Sequence, residues 1–387
     1  MDRRDFLRLG VATTAGALVG SSLWSDALAA CAPAQAGPGP YGPLLGPDAN
    51  GIMLPDGFSS RVIARAFETV PGTGHEWHIF PDGGAVFRKR RDWIYVSNSE
   101  FVGPLSCSAI HFDRSGNVVD AYPILEGTRT NCAGGATPWG TWLSCEEHNE
   151  GHVWECDPTG QTPGVMRPAL GTFKHEAAAV DPHRRVLYLT EDKSDGCFYR
   201  FRPHRWKDLS AGTLEVAVVG PQSKVSWIIV PAPNDISMPT RYQVAQATPF
   251  AGGEGIVHFR HHVYFTTKRD NRVWDYDVRA RTISVLYEAG LDPVEQLTGV
   301  DNIAASRGGD LIVAEDGGNM ELVMISPDRV ASPILRIVGQ GGSELTGPAF
   351  DPRGERLYVS SQRGDTFGIT YEITGPFRRR TPRRSRC

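Results

Sequence analysis

The sequence predicts an all-β fold, a six-bladed β-propeller, from three observations. A hydrophobic strand ending in a polar or acidic residue recurs six times, the copies are spaced in the forties, and glycine and proline are scattered between short apolar runs. In order the copies are DWIYVSNSE closing at Glu100, GTWLSCEE at Glu146, RVLYLTED at Glu191, HVYFTTK at Lys268, DLIVAED at Glu315 and RLYVSSQ at Gln362. The steps between closing residues are 46, 45, 77, 47 and 47, with a one-residue slip allowed at the first, so five units are regular and one carries an insertion. A blade is a small sheet that cannot bury both faces alone, and stacking six around an axis gives each a neighbour. At 387 residues with 43 Gly and 28 Pro, one large loop-rich domain is expected at 51–375.

The ends are set apart from that body. Residues 1–30 carry the pair Arg3-Arg4 ahead of Phe6-Leu7 and a short apolar run from Val11 to Leu23, the pattern of a twin-arginine export signal. That predicts use of the twin-arginine export machinery and a periplasmic, extracellular or membrane-anchored protein. Ala27-Leu28-Ala29 suits cleavage, while Leu28-Ala29-Ala30-Cys31 also fits a lipid anchor at Cys31. The Pro/Gly-rich stretch 31–50 is expected as a linker and 376–387 as a basic tail, with six arginines between Arg378 and Arg386. The net charge is −4, and without the tail the body stands near −10, which excludes a global basic field for nucleic acid and suits cations instead. A monomer is expected. Cys145 and Cys156 are close enough in sequence to bridge a hairpin, or equally to be buried thiols.

Each closing residue has a partner about fifteen positions earlier: Glu176 for Glu191, Glu254 for Lys268, Asp301 for Glu315 and Gly347 for Gln362. The open ends of an antiparallel hairpin lie side by side, so each unit delivers a pair to one end of the channel. Glu146, Glu147, Glu176, Glu191, Asp192, Glu254, Asp301, Glu315 and Asp316 all fall at such ends. Crowded carboxylates repel unless cations neutralise them, and hard oxygen ligands favour Ca2+ or trivalent iron. In TNCAGGATPWGTWLSCEE, Cys132 takes the strand-start position that glutamate holds elsewhere, and a thiolate among carboxylates selects a redox-active metal. Walker, GxSxG and HExxH motifs are absent.

At these residues the chain resembles the PhoX family of secreted alkaline phosphatases. The resemblance rests on NCAGGATPWGTWLSCEE, FKHEAAAVDP, GGEGIVHFRHHVYFTTKRDNRVW, DNIAASRGGDLIVAEDG and TGPAFDPRGERLYVSSQRG. It implies an iron and calcium cluster (Fe3+, Ca2+) in the channel mouth that hydrolyses phosphate monoesters. Carried over, it places iron at Cys132, Glu254 and Glu315, and calcium near Glu146 and Glu147, with Glu176 and Glu191 as further ligands. The chain is shorter than long family members, and the strand Asp310 to Ala314 has no basic residue to meet a phosphate. Lys193, Lys268, Arg269 and Arg363 adjoin strand ends; Lys268 and Arg363 are the candidate catalytic cations, and His175 beside Glu176 an orienting residue or proton carrier. Two rival readings are a calcium-dependent lactonase, for which Asp301-Asn302 and Asn271 are suited, and a non-catalytic propeller binding an envelope ligand. The segment Ser60 to Ala66 is expected to complete the last blade.

Overall fold

Strands mostly of five to nine residues, the second of each blade buried at nearly every position, fold into antiparallel sheets, and six such sheets close around one axis. The computed structural model describes residues 32–364 and 367–379, so Arg3-Arg4, Cys31, Cys387 and the arginines beyond Arg379 lie outside the described residues. The innermost strands of blades one to six are Pro81–Lys89, Asn131–Ala136, His175–Asp181, Gly253–Phe259, Val300–Ala305 and Leu345–Phe350. Each pairs with the strand that closes its repeat: Asp92–Ser99, Trp142–Glu146, Val186–Glu191, His262–Thr267, Leu311–Glu315 and Arg356–Ser361. The inner strands are rich in Gly and Ala, which lets six backbones converge, while aromatic and branched side chains fill the wedges farther out. Between blades three and four that wedge holds Tyr188, Phe198, Phe250, Phe265 and Trp274.

The insertion behind the long third step is a fifth strand on blade three, Val225–Ile229, followed by a short turn at Thr240–Tyr242. The ring closes as expected: Ser59–Arg65 pairs antiparallel with Ile369–Thr374, so the chain's first long strand is the outermost of blade six. Trp77 and Thr370 reinforce that junction through a 3.1 Å Nε1–Oγ1 hydrogen bond.

Two end segments differ from expectation. The stretch 31–50 is not a free linker where it is described: Gln35–Ala36 pairs in parallel with Val330 and Ala331, and Ala34 is fully buried. Just after it, Ile52–Met53 pairs with Ile337 and Arg336, so the outer edge of blade five is covered. An open sheet edge is a liability, and pairing it satisfies the backbone. The tail likewise begins later than residue 376, because Phe377 packs on Tyr41, Phe58 and Phe350, while Arg378 and Arg379 pair with Asp310 and Glu355.

Candidate metal centre

Every inner hairpin breaks register just inside its open end: at 81/84, 131/134, 175/178, 253/256, 300/303 and 346/349. A bulge re-aims the side chains of its extra residue, and such kinks are common beside active sites. The first bulged residues are Asp82, Cys132, Glu176, Glu254, Asp301 and Gly347, one per blade. Blades approach backbone to backbone at this level. A Cβ on Gly83 would lie 2.4 Å from the Ala133 Cα, and one on Gly347, at φ +58°, 2.5 Å from the Asp82 carbonyl oxygen. Beneath the ring the channel narrows to about 40 Å³, lined by Gly83, Ala133, Ala177, Gly255, Asn302 and Gly347, and then widens to about 300 Å³ between the far halves of the six inner strands.

A second tier follows the end of each closing strand: Glu100, Glu147, Asp192, Lys268, Asp316 and Gln362. Their backbone N–H groups donate to equivalent carbonyls, as in Glu147 to Thr130 at 2.9 Å and Asp316 to Gly299 at 2.7 Å. Glu344, just before the inner strand of blade six, joins this tier.

The two tiers meet in three overlapping groups, Cys132·Glu147·Glu176, Glu176·Glu254·Asp301 and Asp301·Asp316·Glu344, with one donor atom of each member within 4.8 Å of the others. The Cys132 thiol donates to Glu176 Oε1 at 3.1 Å and to Asp82 Oδ2 at 3.4 Å. Three cations stand among the acids. Lys174 Nζ lies 2.7 Å from Glu147 and 2.5 Å from Asp192; Lys268 Nζ lies 3.0 Å from Asp316 and 3.2 Å from Asp301; Arg363 holds Glu100 at 2.7 Å and also pairs with Glu344. Gln362 Nε2 donates to Asp82 and, at 3.0 Å, to Glu100.

These cations leave most of the negative charge uncompensated. Burial, then neighbouring carboxylates, push Asp82 and Glu176 well above the usual carboxylate range. Glu254 is likewise raised by burial, against the pull of Lys268, and Glu344 is pushed up to about 10. Burial followed by Asp82 and Glu176 raises the Cys132 thiol. Glu176 Oε2 and Glu254 Oε1 are buried with no hydrogen-bond donor. Buried carboxylate oxygens without donors, converging in overlapping groups beside a thiol, fit metal ions: each ion would supply the missing charge and bond.

Four expected site residues face elsewhere. Glu146 accepts from the Arg129 and His152 N–H groups, both at 3.1 Å. Glu191 accepts from Cys197 N–H, Tyr199 Oη and Arg241, and Glu315 from Thr298 and Glu321 N–H. All three are the last residues of their strands and point back into the loop behind, tying residues six positions later to the hairpin end. The acidic doublets hid a one-residue offset, and one residue along a strand reverses the face. His175, paired opposite Glu191, is fully buried, stacks 3.6 Å from Phe173 and donates its Nε2–H to the Gly171 carbonyl at 3.0 Å. Burial lowers its pKa to about 3, so it stays neutral and does not reach the mouth. Cys145 and Cys156 are free: Cys145 sits opposite Val153 and Cys156 opposite Trp142, three rungs or about 10 Å apart, beyond disulfide reach.

Of the expected residues, Cys132, Glu147, Glu176, Glu254 and Lys268 come together, with Arg363 at the rim. Glu254 groups with Glu176 and Asp301 rather than with Cys132. Asp82, Lys174 and Glu344 were not picked out from sequence. Asp82-Gly83-Gly84 does resemble Cys132-Ala133-Gly134 and Glu254-Gly255, which is the signal that could have found it.

Fold and site together define a β-propeller with groups at one mouth of its channel that could hold metal ions. The sequence profile of the family described as alkaline phosphatase PhoX matches residues 85–152 and 147–365, and the chain belongs to that family. No curated protein matches the sequence. Among solved structures, the chain is similar to a gluconolactonase from Xanthomonas campestris at 11% identity and TM-score 0.48, over 87% of this chain and 99% of the other. It is also similar to a protein of unknown function from Bacteroides thetaiotaomicron at 8% identity and TM-score 0.49, over 82% and 76% respectively.

Proposed function

We propose that the channel mouth is a metal centre at which the protein hydrolyses phosphate monoesters. The observation that carries this reading is the pair of buried carboxylate oxygens without hydrogen-bond donors, Glu176 Oε2 and Glu254 Oε1, beside the Cys132 thiol in a chain of the PhoX family. Cys132, Glu147 and Glu176 would hold iron, while Glu254, Asp301, Asp316 and Glu344 offer the oxygen-only environment suited to Ca2+. When bound, such ions acidify water and offset charge on phosphate oxygens.

The protein's own residues bind and orient. Lys268 and Arg363 flank the Asp301·Asp316·Glu344 group, with side chains 33% and 42% exposed, and each is held by two or more carboxylates. A phosphate dianion entering the mouth competes for these cations, and the planar Arg363 fork suits two phosphate oxygens. Lys174 is occupied by Glu147 and Asp192 and keeps those carboxylates apart. The neck of about 40 Å³ directly below the ring is too small for an ester to pass, so substrate enters and products leave through the acidic mouth. The Arg3-Arg4 segment supports export by the twin-arginine route, which carries proteins already folded around their metals.

The test is metal analysis of the exported protein with p-nitrophenyl phosphate and a lactone as alternative substrates. Phosphatase turnover that accompanies iron and disappears in Cys132→Ala supports the assignment, with Arg363→Lys raising KM. Turnover of the lactone with calcium alone, or phosphatase activity in metal-free protein, rejects it.

A further inference from the structure

The end of the propeller opposite the acidic mouth is basic, and both ends of the described chain lie there. In blade one, Pro81 pairs with Ser99 at the mouth and Lys89 with Asp92 at the far end. Eight residues of strand at ~3.3 Å each separate the two faces by about 25 Å. At that far end Arg88, Arg90, Arg91, Arg114 and Arg353 surround a depression of about 350 Å³ between blades one and six. All five are exposed, and none makes an ion pair among the described residues. The carboxylate in the same depression, Asp92, faces His111 at 3.3 Å. Arg185, Arg281 and Arg307 carry the exposed positive charge onto the far-end turns of blades three, four and five.

The chain ends reinforce this asymmetry. The Ala32 carbonyl accepts from Arg329 at 2.9 Å on the outer far-end turn of blade five. Arg378 pairs with Asp310 and Arg379 with Glu355, on the far-end turns of blades five and six. Residues 1–31, with the apolar run Val11 to Leu23, and residues 380–387, with Arg380, Arg383, Arg384 and Arg386, therefore join the propeller at its basic face.

We propose that this face docks on an anionic phospholipid surface, with the metal mouth turned toward the aqueous side. A lipid surface is a plane of distributed negative charge. It meets a ring of exposed turns and a polybasic tail together, and arginine forks match lipid phosphates. The strongly acidic opposite mouth would be repelled from the same surface, which fixes the orientation.

The experiment is co-sedimentation of the full chain with vesicles of phosphatidylcholine alone or containing phosphatidylglycerol, at low and high salt. Any contribution of the apolar run is shared by both vesicle types, so the preference for phosphatidylglycerol is the readout. That preference is expected to fall at high salt and to drop at least tenfold in the Arg88→Ser, Arg90→Ser, Arg91→Ser variant, since one arginine near such a surface is worth roughly fivefold. A second variant, Arg114→Ser with Arg353→Ser, and truncation after Arg379 should each reduce it with the melting temperature unchanged. Equal binding to both vesicles, an undiminished preference in every variant, or displacement by duplex DNA at equal charge would overturn the proposal.

Discussion

Glu146 and Glu147 are adjacent, chemically identical and opposite in role. The first holds two backbone N–H groups of the hairpin; the second reaches Lys174 and the Cys132 group. Glu146→Ala should therefore lower stability by about 1–3 kcal/mol and leave metal content unchanged, because it strands buried donors. Glu147→Ala should do the reverse; thermal melts and metal-to-protein ratios on both variants check the pair. Sequence reasoning found Cys132, Glu176 and Glu254 because each opens an apolar strand after a polar break. It could not separate the members of the acidic doublets, since burial direction depends on a bulge that no residue announces. Asp82 escaped for a plainer reason: its hairpin is longer, so Asp82 and Glu100 are 18 apart rather than 14 or 15. His78 is a residue of another kind, fully buried and stacked on Trp77, with burial lowering its pKa to about 3. Its folded pKa lies below the unfolded value of 6.5, so the unfolded chain binds the extra proton between those values. Stability should fall as pH drops from about 6.5 toward 3, and denaturation midpoints for His78→Phe should show a shallower acid limb.

At the scale of the strand, the repeated bulge does two things. In blades one to five it turns one side chain toward the axis, and in all six it brings neighbouring backbones so close that small residues are required. Gly135 is the tightest case, where a Cβ would fall 1.8 Å from the Ala178 carbonyl oxygen of the next blade. Gly135→Ala should cost about 1–3 kcal/mol or prevent folding, whereas Gly290→Ala, with nothing within 4 Å of its Cβ, should be near neutral. Urea denaturation of the two variants makes the comparison. The repeat and the closing strand Ser59–Arg65 were legible because blade pairing is periodic and local. The docking of 32–53 along blade five was not, because a short Pro/Gly-rich segment gives no periodic sign of pairing with an edge 283 to 295 residues away.

Across the whole molecule, charge is divided between two ends of a closed ring. A propeller is held mainly by contacts between neighbouring blades, so repulsion at one mouth acts to splay all six together. Lys174, Lys268 and Arg363 each bridge acids contributed by different blades: Glu147 and Asp192 by two and three, Glu254 by four with Asp301 and Asp316 by five, Glu100 and Glu344 by one and six. These bridges span part of the circle, and the group Glu176·Glu254·Asp301 links blades three, four and five through acids alone. Cations bound there would complete the ring of attraction and stabilise the native state in proportion to occupancy. Stripping metal with a chelator should therefore lower the melting temperature by several degrees. Returning Ca2+ should recover part of that loss even in Cys132→Ala, where the thiol group is gone but Glu254, Asp301, Asp316 and Glu344 remain. A melting temperature indifferent to chelator and calcium would mean that the protein cations alone balance the mouth.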